Sequence, residues 1–528
     1  MIMKKRIYIK NIKIMIKGFL PLCLFALLPL FTSCNDWLDV EPTTEMDRED
    51  LFKDEAGFAD AMSGIYTILN SDAMYGKHMT WYLLEMMGGG GYAGSGLNSY
   101  IMQYYFHPNT PYSYFKNYQN NYIDPIWKNA YNAIANINSI LSCIDDKKNV
   151  FVGDDYQIIK GEALGLRAFI HFDLMRLYTD AYSSADFSKS RVYMPYVSSL
   201  TSDVFALAPA DFIAQAILKD LNEAKELLRK DPMLTGITPS QYVCDEVSGL
   251  IANRNQYGIK DWHNRRLHFN YYAAIATMAR LYLWMGNKEQ ALACATEIIN
   301  APADKFPWVN TDLIANVTSS SNTVARDRTF CTEHIMALNV INLEDRIDGI
   351  LQERQKTFGS TNQMLGMNTN YLFDTATRDA DPRYTYLRFI FSDDMHISSK
   401  LYQDADAQNQ NFPWAVKRIP LIKLAEMYYI AAECEPSLDR AVEYLETVRR
   451  HRGLAPYPLQ VTNKEELQEQ IEAEYRKEFI SEGQLFYYHK RLNQSFTSRG
   501  FQGSYQITPE VFTMPRPDDE DAYGGRNN

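Results

Sequence analysis

The stretch MARLYLWMGNKEQALACATEIINAP, residues 278–302, decides the fold class of this chain. Apolar residues recur at helical spacing on both sides of Gly286, which predicts a helix that ends at the glycine and a second helix that follows directly. Ala291 is small enough for the second helix to pack closely against the first, and Pro302 ends the pair. The stretch is therefore predicted to be a pair of packed helices.

A second stretch, IPLIKLAEMYYIAAECEPSLDRAVEYLETVRRHRG at 419–453, repeats this scheme with Pro436 in the turn and Ala441 at the small position. Both pairs resemble tetratricopeptide repeats. Because long non-repetitive segments separate the pairs, we predict an all-α dominated fold in which helix pairs scaffold an irregular, loop-rich region built from these segments. Further helical patterns, the first with Asp54 as N-cap, cover 54–69, 126–144, 156–178, 211–228, 268–285, 288–300, 420–434, 438–451 and 465–482.

The N-terminus has the three parts of an export signal. Six lysines and arginines open the chain, an apolar run occupies 19–31, and two small residues precede Cys34. The run is too short to cross a hydrocarbon core of about 30 Å comfortably, so cleavage is expected. The residues FTSC resemble the lipobox of bacterial lipoproteins, which predicts that 1–33 is removed and that Cys34 carries lipid. An ordinary signal peptide and a retained anchor helix are the alternatives.

Composition is that of a large globular protein. The chain has 528 residues, of which 46% are hydrophobic and 22% charged. Without the six basic residues of the leader, 47 lysines and arginines stand against 65 acids, a net charge of −18. This balance disfavours nucleic acid as a partner, because phosphate binding depends mainly on lysine and arginine. Five cysteines remain outside the leader and Cys34, an odd number without a CxxC pair, which predicts neither a disulfide framework nor a zinc site.

Six motifs, in this order along the mature chain, resemble the SusD/RagB family of outer-membrane lipoproteins of Bacteroidetes. No single motif is decisive, but the ordered set is. One motif departs from the commoner pattern, since EGQLFYYHKR at 482–491 has Leu485 and Tyr488 where many relatives have an arginine and an aspartate. We interpret both as structural positions on a packed helix. The six motifs are CNDWLDVEP (34–42), WKNAYNAIANINSIL (127–141), EALGLRAFIHFDLMRLYTD (162–180), DADPR (379–383), IPLIKLAEMYYIAAE (419–433) and EYRKEFISEG (474–483).

The resemblance implies a fold, a location and a partner. It implies a SusD-like fold with four tetratricopeptide-type helix pairs, formed by a portion at 34–240 and a portion at 241–528 that make one integrated structure. Members are not enzymes and carry no cofactor. They face the cell surface on a lipid anchor in the outer membrane, and they act as a lid over a SusC-like TonB-dependent transporter. The binding loops of the family vary, so the resemblance does not supply the ligand.

The segment at 88–127, called here the aromatic insertion, has the most unusual composition. It opens with GGGGYAGSG at 88–96, and tyrosines then alternate with asparagine, glutamine and serine. Aromatic faces stack on the C–H patches of sugar rings, and side-chain amides bond hydroxyls as donors and acceptors. The pattern therefore favours a neutral oligosaccharide, although each tyrosine could instead pack the insertion onto the helices. The candidate contacts are Trp81, just before the insertion, and Tyr92, Asn98, Tyr100, Gln103, Tyr104, Tyr112 and Tyr114 within it.

Two tryptophans elsewhere are further candidates for ligand contact. Trp262 stands in KDWHNRRLHF before a predicted helix, and Trp308 stands in KFPWVN after a helix pair. Loops that follow regular elements often carry functional residues. A buried tryptophan that closes the repeat is the competing interpretation of Trp308.

Several stretches resemble catalytic or metal-binding motifs but lack the flanking elements or the residues that such motifs require. GGGYAG at 89–94 fits GxGxxG, but no strand pattern precedes it and no helix pattern follows. DADAQNQNFPW at 404–414 lacks the glycine and the glutamate of a calcium loop. Three glutamates spaced by four, Glu474, Glu478 and Glu482, are predicted to form a structural salt-bridge network and not a catalytic site.

The leading functional hypothesis is capture of an oligosaccharide and delivery to a SusC-like transporter. Capture of a peptide, as by RagB-like members, is the alternative in the same architectural class. A glycoside hydrolase would need two carboxylates at a fixed separation in a cleft, and the helix-pair scaffold disfavours it. A passive scaffold that binds only other proteins is a third alternative.

Overall fold

The computed structural model describes residues 48–89, 118–235, 262–303, 305–309, 311, 327–343, 345–347, 366–367, 372–386, 388–392, 395–401, 417–500 and 503–523. The chain divides into two units, Met1–Leu51 and Phe52–Asn528. The described part of the first unit is the helical turn Arg48–Leu51. All other described elements belong to the second unit.

Helices dominate the described residues, and several begin at caps that the sequence supplies. Asp54, the predicted N-cap, accepts a hydrogen bond from the backbone N–H of Gly57 at 3.1 Å. Asn270 and Asn463 cap later helices in the same way. Among the described helices, none combines the length and the apolar character needed to cross a bilayer. The helices are α1 Arg48–Leu51, α2 Glu55–Leu69, α3 Leu83–Met87, α4 Asp124–Leu141, α5 Asp155–Tyr178, α6 Ala210–Leu227, α7 Pro232–Thr235, α8 Tyr271–Trp284, α9 Lys288–Ile299, α10 Pro382–Tyr386, α11 Leu424–Cys434, α12 Leu438–Arg450, α13 Lys464–Glu478, α14 Gln484–Leu492 and α15 Asp518–Tyr523.

Strands form small antiparallel sheets beside the helices. One strand corrects the predicted helix at 420–434, because Arg418–Lys423 is extended and pairs with His334–Asn339 before α11 begins. Pro420 explains the difference, since a proline disfavours helical backbone at the residue before it. The strands are β1 Val192–Met194, β2 Ala208–Pro209, β3 His334–Asn339, β4 Gly366–Met367, β5 Arg388–Ser392, β6 Met395–Ser398, β7 Arg418–Lys423, β8 Phe496–Gly500 and β9 Gly503–Ile507.

The helices pack as pairs along the chain. Helix α2 packs against α4, α5 against α6, α8 against α9, and α11 against α12. Neighbouring pairs also touch, because α6 contacts α8 and α9 contacts α11. These four pairs give the all-α dominated, SusD-like fold that was predicted. Their tetratricopeptide character stays a prediction.

Helix α5 lies at the centre of this array and is buried on nearly every face. It therefore lacks the single apolar stripe of a surface helix. Gly165 lets another side chain approach it closely, since a Cβ at this position would lie 2.0 Å from the ring of Phe269. The glycine is thus a packing requirement of the core.

The predicted helix at 465–482 ends earlier than expected. Helix α13 stops at Glu478, because Ser481 and Gly483 adopt left-handed backbone with φ of 63° and 69°. Helix α14 then begins at Gln484. Leu485 and Tyr488 are buried on α14, which confirms that both are structural positions.

Buried arginines join the helix pairs to one another. Arg280 of α8 binds Glu426 of α11 through two nitrogens, and Arg491 of α14 binds Glu433 of α11 in the same way. Such two-point contacts fix the relative position of the groups as well as their distance. They tie the third helix pair to the fourth and the fourth to α14.

The cysteines of the described part are all free thiols. Cys294, Cys331 and Cys434 are buried, whereas Cys143 is only half-buried. Burial raises the pKa of the Cys294 thiol to about 11. These cysteines therefore behave as small apolar side chains.

Candidate functional site

The two ends of the aromatic insertion are held firmly by the helical core. At the first end, helix α3 stops at Gly88, where a Cβ would lie 2.5 Å from the backbone nitrogen of Phe486 on α14. At the second end, Tyr118 is 1% exposed and leads through the π-helical turn Gln119–Ile123 into α4. Single π-helical turns occur often at functional sites. The residues between these ends, 90–117, lie outside the described part.

An aromatic group, called here the base cluster, lies between the two ends. It consists of His78, Tyr82, Tyr118 and Tyr122. Ring centroids are 5.8 Å apart for His78 and Tyr82, 5.5 Å for His78 and Tyr122, and 5.8 Å for Tyr118 and Tyr122. Lys77 places its ammonium nitrogen 4.4 Å from the Tyr82 ring centroid, a cation–π contact. The base cluster connects the segment before α3 to the segment before α4.

Burial makes the base cluster electrically neutral at its centre. Burial first and the nearby charge of Lys77 second lower the pKa of His78 to about 4. The imidazole is therefore uncharged near pH 7. Its Nδ1 is buried and has no hydrogen-bond partner among the described residues.

Most of the predicted contact residues lie beyond what the structure describes. These residues are Tyr92, Asn98, Tyr100, Gln103, Tyr104, Tyr112 and Tyr114. Their contact with a ligand stays a prediction, and so does the lipid attachment at Cys34.

Gln119, at the edge of the insertion, donates through Nε2 to the carbonyl of Arg516 at 2.9 Å.

Trp81 lies inside the protein. Its side chain is 2% exposed, and its indole N–H donates to the carbonyl of Gly76 at 2.9 Å. Its ring also meets Tyr82 edge to face at 5.8 Å. Trp81 thus packs against Tyr82 of the base cluster. A direct contact between Trp81 and a ligand stays a prediction.

Trp308 packs against the fourth helix pair. Its ring stacks on His451 with centroids 4.4 Å apart and planes inclined by 10°, and Tyr428 lies 5.2 Å away. The guanidinium of Arg452 lies 5.5 Å from the same ring. These contacts favour the interpretation that Trp308 closes the repeat. Trp262 begins a 3-10 helical turn, Trp262–Leu267, and its role stays a prediction.

The row of glutamates on α13 and just after it is a salt-bridge network, as predicted. Glu474 accepts from Arg383 at 2.7 Å and from Arg449 at 2.8 Å. Glu478 is completely buried, and Arg452 first and Lys423 second hold its pKa well below the usual range. Carboxylates held in this way are locked as anions and are poor proton donors.

The cations of this network come from parts of the chain that sequence reasoning did not connect with it. Arg383 precedes α13 by more than eighty positions in the numbering, and Lys400 donates to Glu482 from another loop. The motif DADPR already contained Arg383, but nothing in its spacing pointed to α13. Among the described residues, no group of three or more histidines, cysteines and acids is arranged to hold a metal ion.

Comparison with known proteins gives matches over both halves of the chain. The family model SusD-like, described as "Starch-binding associating with outer membrane", matches 36–241, and the model of the SusD family matches 322–519. SusD-like protein P2 of Formosa agariphila is 24% identical over 224 residues, which are 41% of this chain. The chain spans only 39% of the length of that relative.

Solved structures share the fold. A SusD-like carbohydrate binding protein from Bacteroides vulgatus is 18% identical with a TM-score of 0.60, and the match covers 90% of this chain and 97% of that one. A laminarin binding SusD-like protein is 17% identical with a TM-score of 0.53, covering 83% and 91% of the two chains. Since the two family models match in order and together cover about three quarters of the chain, the protein belongs to the SusD/RagB family.

Proposed function

We propose that this protein is a cell-surface lipoprotein that binds a neutral oligosaccharide and delivers it to a SusC-like TonB-dependent transporter. The observation that carries the proposal is the tyrosine- and amide-rich composition of the aromatic insertion, on a chain whose family is described as starch-binding and associated with the outer membrane. Stacking on tyrosine faces would supply affinity, and asparagine and glutamine amides would select hydroxyl positions.

The relatives support a sugar over a peptide. Two structures with this fold are described as carbohydrate binding and as laminarin binding. A peptide site would need backbone hydrogen-bonding edges and fewer stacking rings.

Delivery and location complete the proposal. Lipid on Cys34 would hold the protein at the outer membrane, and the polar segment 35–45 would serve as a tether. The protein would then cover the transporter barrel and move as a lid. Modest affinity suits this role, because the cargo must leave for the transporter.

The firm ends of the aromatic insertion make the proposal testable by mutation. Tyr118 and Gly88 are buried in the core, whereas the candidate tyrosines lie between them in the sequence. Replacing the candidate tyrosines by alanine should therefore not unfold the helix pairs. Tyr457, 39% exposed on the loop after α12, provides a matched control for the loss of a tyrosine ring.

The experiment is isothermal titration of the purified protein with a panel of neutral glycans, including laminarin and starch oligosaccharides, and with peptides. We expect weak binding to one glycan class. Alanine at Tyr100, Tyr104 or Tyr112 should weaken binding about tenfold or more per stacking ring, since stacking on an aromatic contributes about 1–3 kcal/mol in related ring-stacking sites. Tyr457→Ala should bind like the unaltered protein.

Three outcomes would change the proposal. Binding to peptides alone would replace sugar by peptide as the cargo. Glycan binding that survives every tyrosine substitution would remove the aromatic insertion as the site. Release of shorter products from the glycan by pure protein would identify a hydrolase.

A further inference from the structure

A cavity of about 40 Å³ lies where helices α5, α8, α11, α13 and α14 meet. This is room for about three water molecules at 10–15 Å³ each. Its walls are apolar and aromatic side chains, the three arginines of buried ion pairs, and two of the carboxylates that these arginines bind, Glu426 and Glu433. The lining side chains used below are Arg176, Arg280, Trp284, Tyr475, Tyr487 and Arg491.

Among the described residues, three polar atoms on the cavity wall lack hydrogen-bond partners. They are the indole nitrogen of Trp284 and the hydroxyls of Tyr429 and Tyr487, in side chains that are 3%, 1% and 4% exposed. The indole N–H can only donate. Buried polar groups are normally bonded, so three such groups on one cavity point to a ligand that accepts hydrogen bonds there.

The tyrosine hydroxyls on this wall are donors as well. Burial raises the pKa of both Tyr475 and Tyr487 far above the usual range. Charged groups facing these hydroxyls are Arg176, Arg280 and Arg491, with Asp173 and Glu426 as their carboxylates. Both phenols therefore keep their protons.

The three arginines add further N–H groups without adding net charge. Arg280 uses Nε and Nη2 on Glu426, Arg491 uses Nη1 and Nη2 on Glu433, and Arg176 uses Nε and Nη2 on Asp173. Each guanidinium thus retains one nitrogen that makes no bond within the described residues. Because each cation is matched by a carboxylate, a multivalent anion would lose its hydration without a matching charge. A small monovalent anion gives up less hydration free energy when it enters such a site.

We propose that this cavity binds a small monovalent anion of the size of chloride. The indole N–H of Trp284, the hydroxyl of Tyr487 and the spare guanidinium N–H groups would surround the ion with charge-assisted hydrogen bonds. The ion would link the second, third and fourth helix pairs to α14 and stabilise their packing. The proposal does not depend on the proposed function.

The first experiment is crystallography of the purified protein in sodium bromide, with data collected at the bromine absorption edge. We expect an anomalous peak inside the cavity. Trp284→Phe and Tyr487→Phe should each reduce its occupancy to about half or less, because each removes one donor. Tyr488→Phe is the control, since its ring lines the cavity whereas its hydroxyl already accepts a hydrogen bond from Gln468 Nε2 at 2.6 Å.

The second experiment measures thermal unfolding in sodium bromide or chloride against sodium gluconate at equal ionic strength. Gluconate is too large for the cavity. The melting temperature should rise with halide concentration, as expected for a ligand that binds only the folded state, and the rise should shrink in Trp284→Phe and Tyr487→Phe. Ordered water without anomalous signal, or an equal rise in all anions, would overturn the proposal. So would an unchanged halide effect in both donor variants.

Discussion

Arg452 binds Glu478 through Nε at 3.0 Å and Nη2 at 2.9 Å, and neither side chain has any exposed surface. The same guanidinium binds both carboxylate oxygens of Glu333 at 2.9 Å and 2.7 Å. Arg452 follows α12, Glu478 ends α13, and Glu333 precedes β3. One buried cation therefore fixes three segments of the C-terminal half.

Removing this cation should destabilise the fold severely. Arg452→Leu leaves two buried carboxylates without their main partner, and loss of one member of a buried pair costs about 3–5 kcal/mol. We expect the free energy of unfolding, measured by urea titration, to fall by this amount. Arg450→Ala is the control, since its pair with Glu443 is exposed and should contribute less than about 1 kcal/mol. Equal losses in both variants would contradict the importance of burial.

Two helical glycines should respond in opposite directions to alanine. Gly165→Ala places a Cβ 2.0 Å from the Phe269 ring, and overpacking of this kind costs about 1–3 kcal/mol. Gly64→Ala on α2 meets nothing within 4 Å and should stabilise the protein by about 0.5–1 kcal/mol. Urea unfolding of both variants compares the two effects directly. A stabilising Gly165→Ala would mean that α5 and Phe269 do not approach as described.

Glu85 should make stability depend on pH. Burial raises its pKa to about 7, against 4.5 for the free side chain, although the backbone N–H of Gly483 donates to it at 3.1 Å. Between these values the folded protein holds a proton that the unfolded chain has released. The free energy of unfolding therefore falls as pH rises from 4.5 to 7 and levels off above pH 7. The slope is about 1.4 kcal/mol per pH unit, and the total decrease is up to about 3 kcal/mol.

Glu85→Gln isolates this contribution, because glutamine imitates the protonated acid. At pH 8 the free energy of unfolding of the variant should exceed that of the unaltered protein by about 1–3 kcal/mol. Near pH 5 the two free energies should be equal. Urea titrations at several pH values give the comparison. Parallel pH profiles for the two proteins would show that Glu85 is ionised in the folded state.

Cys34→Ala should release the protein from the membrane without unfolding it. The predicted lipid is attached to this residue, and the helix pairs begin only after Asp54. Cell fractionation should find the variant in the soluble fraction, with the thermal stability of the unaltered protein. Retention in the membrane fraction would contradict a lipid anchor at this position.

Local patterns in the sequence were sufficient for the helices and their pairing. The N-cap at Asp54, the turn at Gly286 and the burial of Leu485 follow from residues within one or two turns of each position. The strand Arg418–Lys423 was missed, because its apolar run satisfies a helical pattern equally well and its partner β3 lies far away in sequence.

The amino-acid sequence by itself determined the helix-pair architecture, the family and the chemistry of the aromatic insertion. These features rest on short-range spacing and on the ordered motifs. Tertiary structure alone decided which cations pair with Glu474 and Glu478. It also decided why Gly165 must be glycine and where Trp284 and Tyr487 face a common cavity. The physical reason is that these relationships join residues distant in sequence, and only packing of the helices brings their side chains within a few ångströms.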